Sequence, residues 1–354
     1  MVQARVKTAT VPRESRFSPR LTASLDAARA CAAFYVVAHH VANATGHSRG
    51  IFMFGQEAVL VFFLLSGFVI FANERDRALR PRGFYLRRLR RIYPALLVAM
   101  AASTVVAVDN GALARSFRWS ELLGSLFALQ DNTALKPGVI VEPYLGNDPL
   151  WSLSYELAFY AVFPFALRLW TISKDGAGHL IGALSCASYV AYALAPNHWS
   201  LVGAYFLVWW GGAMAANAYL EGERSFLAMR PAIGWLAALC ATAALTALLS
   251  GEFKSFSYYP GLPLRHFLVA LLMLALFFGP IGKSLSQIAP RLKGSAAFLA
   301  SISYGVYVLH YPLLIQSKRA GTTFGWLSMA ALLLISSCFA DRWLSRALPR
   351  APVD

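Results

Sequence analysis

The chain alternates long apolar runs with short polar, often basic, segments. Ten runs come close to the length of about 20 residues that carries a helix across a bilayer: 25–44, 57–72, 92–108, 149–170, 177–195, 198–220, 231–250, 261–281, 295–316 and 322–343. Most connections between them are short, so neighbouring helices are expected to pack antiparallel. The pattern predicts an all-α fold, a polytopic transmembrane bundle of about ten spans covering 25–344, with tails at 1–24 and 345–354. One connection is long, 109–148, and carries an amphipathic stretch from Phe117 to Phe127, expected at the interface or as a cap on the bundle.

Composition excludes a soluble domain. Of 354 residues, 58% are hydrophobic and 14% charged, whereas soluble domains carry about 25% charged residues. The net charge of +15 raises the question of a nucleic-acid partner, but the distribution of the charges answers it. With the N-terminus inside, 23 Lys and Arg fall in cytoplasmic segments and eight in outer ones, with Arg29 inside the first span. That bias is the positive-inside pattern, and with an even number of spans it puts both termini in the cytoplasm. No nucleic acid is expected as partner; the bilayer is, and a cell inner membrane is the expected location. The tail before residue 24 is polar and basic and lacks the apolar core of a signal peptide. Cys31, Cys186, Cys240 and Cys338 stand singly in apolar segments without ligand spacing. Neither a disulfide nor a zinc site is expected, and each thiol is read as a small buried hydrophobe.

Ionisable groups within spans cost about 2.5–3.5 kcal/mol at the helix centre, so each calls for a reason. In the first span Arg29 and His40 are eleven residues apart. They fall on nearly one helix face about 16.5 Å apart along the axis, while His39 points some 100° away. The second span holds Ser66-Gly67, a small pair suited to close helix packing. Arg88 and Arg91, at i and i+3, share a face and suit bidentate phosphate binding; positive-inside bias also accounts for part of that basic block. The fourth span carries Trp151, Tyr155 and Glu156. Trp151 and Tyr155 also fit an interfacial belt, whereas Glu156 is the one acid deep in any span. The ninth span holds Tyr304 and His310, where a structural histidine and a site residue are equally good readings. By depth, His40, Glu156 and His310 fall in the outer half of the membrane, and the three arginines at its inner face.

These blocks, in this order, resemble the acyltransferase-3 family of integral membrane acyltransferases. The matching pieces are Leu25-Asp26 with Arg29 and His40, Phe62-Phe63 with Ser66-Gly67-Phe68, Arg88 and Arg91 before Tyr93-Pro94, Trp151-Ser152 with Glu156, Phe159 and Tyr160, and Ser303-Tyr304 with Tyr307, His310 and Pro312. They span residues 25–312. The resemblance implies transfer of an acyl group, often acetyl from acetyl-CoA, to a hydroxyl of a carbohydrate or lipid-linked acceptor. Many members have an acid just before the Phe-Phe pair; here Leu60-Val61 stand there and Glu57 lies earlier. In this reading Arg29, Arg88 and Arg91 bind the CoA phosphates and His40 is the general base. Glu156 orients or stabilises His40. Trp151, Tyr155, Ser66, Tyr304 and His310 support the substrates or the site. Acyl-CoA is a donor substrate, and no permanently bound cofactor or metal is expected. The alternative class is a proton-coupled transporter or flippase with a His/Glu relay. It predicts broken helices in paired repeats, and no such repeat is visible.

Overall fold

The computed structural model describes residues 17–348, apart from 48–49, 76–80, 224, 278–281, 283 and 285–286. Most of the basic N-terminal tail and the end of the C-terminal one therefore lie outside the described residues. Among the described residues, nine helices are long and apolar enough to cross a membrane, and a tenth apolar helix, Gly261–Phe277, is shorter. In chain order, with the short α4 of the long connection added to these ten, the helices are α1 Pro19–Ala44, α2 Gly55–Glu74, α3 Pro81–Asp109, α4 Trp119–Leu126, α5 Trp151–Ile172, α6 Lys174–Leu194, α7 His198–Leu220, α8 Arg230–Ser250, α9 Gly261–Phe277, α10 Lys293–His310 and α11 Thr323–Cys338. Each of α10 and α11 runs on into a π-helical stretch, Tyr311–Gln316 and Phe339–Leu344. The chain is an all-α, multi-pass membrane bundle.

Two helices begin earlier than the apolar runs suggest. The Ser18 hydroxyl accepts the Leu21 amide at 3.2 Å, with Pro19 in the first helical position. That is a strong start signal, and it overrides the polar character of residues 19–24. Likewise α3 opens at Pro81, so Arg87, Arg88, Arg90 and Arg91 are helical and continuous with the span. They are not a loop: arginine and leucine are good helix formers, and charge hides that from a hydropathy count. The amphipathic stretch of the long connection does fold as a helix, α4. The thiols diverge from expectation: only Cys240 is buried, and Cys31 is exposed.

The tightest seam joins α2 to α7. A Cβ on Gly67 would stand 1.9 Å from the Trp209 carbonyl oxygen, and one on Gly212 would stand 2.0 Å from that of Leu64. Backbone meets backbone there, as small residues permit between membrane helices. Beside the seam, Phe63 packs edge-on to Phe159 at 5.2 Å and Phe163 lies 5.4 Å from Trp209. This fixes α2 and α5 as one unit, against which α1 and α10 close.

Gly67→Ala should destabilise the purified protein by about 1–3 kcal/mol through overpacking, seen as a lower Tm in detergent. Gly234→Ala, where an added Cβ meets nothing within 4 Å, should leave Tm unchanged or raise it, because alanine is the better helix former by about 1 kcal/mol. A Gly67→Ala protein as stable as the parent would remove the seam from this account.

Candidate functional site

Two chambers open in the bundle, one behind the other. The first, about 360 Å³, is lined by Arg29, Arg87, Arg88, Arg91, Glu156 and Tyr304 among others. Its cations converge because residues i, i+1 and i+4 at the start of α3 project toward α1. Arg87 grips Glu74 bidentately, Nε to Oε1 at 3.0 Å and Nη2 to Oε2 at 2.6 Å. Arg88 lies 3.6 Å from the same carboxylate, and its Nε is buried with no hydrogen-bond partner. Arg91 stands 3.4 Å from Asp341, which also accepts the Gly305 amide at 2.7 Å. Arg29 is half-buried, within electrostatic reach of Arg91, Asp26 and Glu156.

The second chamber, about 380 Å³, is lined by His40, Gln56, Asn132, Asp148, Trp151 and Tyr311 among others. Val59 of α2 and Tyr307 of α10 line both chambers, so the two meet at this pair. His40 faces the His310 ring at 5.2 Å and the Tyr311 ring edge-on at 5.1 Å. Its neighbour His39 is committed elsewhere, with Nδ1 2.5 Å from the Phe52 carbonyl and Nε2 3.0 Å from the Asn43 amide nitrogen. His310 is fully buried behind His40. The fold brings Arg29, Arg88 and Arg91 together in one chamber and places His40 eleven residues further along α1, in the other.

The expected pairing of Glu156 with His40 is not formed. Trp151 lines the His40 chamber, and Glu156, five residues later, lies about 7.5 Å further along α5, in the arginine chamber. There its carboxylate accepts from Ser66 at 3.0 Å and from the Tyr160 hydroxyl. Ser66 is therefore a hydrogen-bonding wall residue, and Gly67 alone carries the packing role. The carboxylate that shares the chamber of His40 is Asp148, which accepts from the Tyr311 hydroxyl at 3.0 Å. It stands in the turn just ahead of α5, where an acid is a helix-start signal. Two acids nearer helix ends are more fully buried than Glu156. Glu57 is buried and bound to Arg265 at 2.5 Å, and Asp341 is buried on Arg91. The Tyr304 hydroxyl is buried without a hydrogen-bond partner.

Trp151 and Tyr155 are not belt residues: both are buried. The long connection folds inward and carries Asp131 and Lys136, also buried, onto them. Tyr155 donates to Asp131 Oδ2 at 2.6 Å, Lys136 holds Oδ1 at 2.8 Å, and the ammonium sits 4.2 Å from the Trp151 ring centroid. Burial favours the neutral acid at Asp131. The Lys136 ammonium, the hydrogen bond from Tyr155 and the His198 ring 3.5 Å away outweigh it and hold the carboxyl below the usual carboxylate range. This clasp sets Asn132 and Leu135 as one wall of the His40 chamber. Its partners meet only through tertiary folding, which hides it from the sequence. Among the described residues, no three His, Cys, Asp or Glu side chains are grouped to hold a metal ion.

A family model described as an acyltransferase domain matches residues 22–340. The chain belongs to that family, the one resembled by its motifs. It is similar to the acyltransferase MdmB of Streptomyces mycarofaciens, 38% identical over 117 residues, 32% of this chain and 29% of that protein. It is also similar to nodulation protein 10 of Rhizobium leguminosarum bv. viciae, 26% identical over 279 residues, 73% of this chain and 71% of that one. Against the peptidoglycan O-acetyltransferase OatA of Listeria monocytogenes it is 25% identical over 335 residues, 85% of this chain but 51% of OatA. The chain thus spans under a third of MdmB and about half of OatA. No solved structure matches it.

Lys136→Met should leave Asp131 buried and unpaired, at a cost of about 3–5 kcal/mol, read as a lower Tm of the purified protein. Adding Asp131→Asn should restore most of the loss. Because the native carboxyl is held low, its contribution is complete above the ordinary aspartate value of about 4 and is lost as pH falls through the native value. The Tm difference between parent and Lys136→Met should therefore shrink in acid. An equal difference at neutral and strongly acidic pH would contradict the clasp.

Proposed function

We propose, from this family membership, that the chain is an integral membrane O-acyltransferase. It moves an acyl group, acetyl as the first candidate, from acyl-CoA to a hydroxyl of a carbohydrate or lipid-linked acceptor. The observation that carries the reading is the meeting of an arginine chamber and a histidine chamber at Val59 and Tyr307. Phosphate groups of the donor match Arg29, Arg88 and Arg91, since guanidinium forks bind phosphate oxygens bidentately. Arg29 and His40 are about 16.5 Å apart along α1, a span suited to the pantetheine arm. The thioester then lies at the junction, within reach of an acceptor held in the second chamber.

In the transfer, His40 takes the acceptor's hydroxyl proton as that oxygen forms its bond to the acyl carbon. The carbon–sulfur bond breaks, sulfur keeps the electron pair, and the imidazolium returns the proton to it. Imidazole suits both steps because it gains and loses a proton near neutrality. Glu156, with Ser66 and Tyr160, offers hydrogen-bonding groups to the donor arm instead of serving His40. The two termini and the arginine chamber face the cytoplasm in this reading, and the acyl group is delivered in the outer half of a bacterial inner membrane. The relatives' names fit: one is an O-acetyltransferase, and another match, ExoZ of Rhizobium meliloti, is an exopolysaccharide production protein.

The test is purified protein in lipid nanodiscs with labelled acetyl-CoA, following CoA release and labelled ester. Release of no CoA under any acceptor would end the reading in favour of a transporter. His40→Ala should lower kcat about 10²–10⁴-fold, the usual worth of a general base, while His39→Ala, whose ring is tied to Phe52 and Asn43, should cost far less.

Arg88→Ala and Arg91→Ala should raise the donor's KM about ten- to hundredfold, the worth of a charged hydrogen bond, with kcat nearly unchanged. Lysine at either position should recover part of the loss. A fall in kcat at constant KM would give the arginines a different task.

A further inference from the structure

We propose that His310 is a positioning residue for His40: its Nε2 accepts the ring N–H of His40 and so fixes which nitrogen of His40 faces the acceptor. The proposal rests on His40 being the base, and it deepens that reading. The other nitrogen of His310 sets its tautomer. Nδ1 lies 2.8 Å from the Tyr307 carbonyl oxygen and 3.2 Å from that of Val306. Carbonyl oxygens only accept, so Nδ1 carries the hydrogen. In a neutral imidazole the lone pair is then on Nε2. That atom is buried and has no hydrogen-bond partner among the described residues.

The ring across from it is His40, with centroids 5.2 Å apart and planes 40° from one another. An N–H···N bond of about 2.9 Å between two imidazoles puts their centroids about 5 Å apart. The rings therefore stand near the separation such a bond needs; the bond itself is not formed in this structure, and turning the His40 ring toward Nε2 is what the proposal adds. Other groups nearby are already engaged: the Tyr307 hydroxyl donates to the Pro149 carbonyl at 2.7 Å, and the Tyr311 hydroxyl to Asp148. Among the described residues neither histidine has a carboxylate within ion-pair distance. The task a carboxylate performs behind a catalytic histidine, holding tautomer and orientation, falls to a second imidazole. A neutral partner adds no charge to a site inside a membrane. The bond strengthens when His40 becomes the imidazolium, since a charged donor makes the stronger hydrogen bond, so the support peaks when the proton arrives. His310 is also the last α-helical residue before the π-helical stretch Tyr311–Gln316, the kind of irregularity that recurs at functional sites.

The test uses the full chain in nanodiscs, acetyl-CoA as donor, and water in the acceptor's place, with thioester cleavage as the rate. His310→Leu should lower kcat about 10²-fold or more, on the scale of lost proton-transfer assistance, at unchanged KM for acetyl-CoA. His310→Gln, whose amide oxygen can accept the same N–H, should recover at least tenfold of that loss. A matching readout without turnover is carbethoxylation of His40 by diethyl pyrocarbonate, followed by peptide mass spectrometry. It should slow several-fold in His310→Leu and stay near the parent rate in His310→Gln. Glutamine as damaging as leucine, or a folded His310→Leu protein with parental kcat, would overturn the proposal. If the leucine variant fails to fold, ¹⁵N-histidine spectra of the unmutated chain decide: an unprotonated Nε2 on His310, perturbed by His40→Ala, is required, and a protonated one overturns it. Parent protein that cleaves no thioester while its spectra show the linked pair would instead fault the acyltransferase reading.

Discussion

A hydrocarbon surrounding offers no partner to an ionised side chain, so every charge in the bundle has to be answered from within the chain. The rest of this structure follows from that constraint. Glu57 is answered by Arg265, Asp131 by Lys136, Glu74 by Arg87 and Asp341 by Arg91. Two of these pairs tie segments distant in sequence, α2 to α9 and α3 to the stretch following α11; the others brace the long connection over α5 and the turn from α2 to α3. Such pairs are weak evidence of net stability, but breaking one leaves a buried charge behind. They therefore act as pins that specify which helices meet.

Against that background, the groups left unanswered take on meaning where they border a chamber. Among the described residues the Nε2 of His310, the Tyr304 hydroxyl and the Arg88 Nε lack partners, and they border or back the two cavities. An orphaned donor alone marks nothing: the indole nitrogens of Trp209 and Trp210 also lack partners, and they are buried beside the α2–α7 seam. Concavity together with a missing partner distinguishes the candidate site from the packed wall beside it.

Much of this was legible in the sequence, and the failures have one physical cause. Apolar runs located the spans, and α1 alone fixed the axial separation of Arg29 and His40, because both are properties of a single helix. Depth along a helix is readable in this way; azimuth and partner are not. Counting rise per residue from the ends of the apolar runs gives Glu156 and His40 a similar depth, yet about one and a half turns of α5 separate Glu156 from Trp151, and the carboxylate turns toward Ser66 and Tyr160. Asp148, Asp131 and Lys136 stand in a turn or in the long connection, outside the apolar runs that drew attention, and Asp341 sits at the very end of the last run. Their roles come from contacts made across the fold.

The pairing pattern also divides labour among the arginines. Arg87 uses two nitrogens on both oxygens of Glu74, a closed fork–fork contact with little left to offer an anion. Arg88 is only loosely tied to that carboxylate and keeps a bare Nε, and Arg91 shares Asp341 with a backbone amide. A phosphate entering this chamber would therefore meet Arg88, Arg91 and Arg29 as its available donors, with Arg87 and Glu74 as the brace that aims Arg88. The brace makes Arg88 cheap to reorganise and Arg87 expensive, since moving Arg87 would leave the buried Glu74 with only the looser contact to Arg88. This chamber thus holds one fixed cation, Arg87, and three freer ones, and the pair His40 and His310 lies beyond the junction at Val59 and Tyr307.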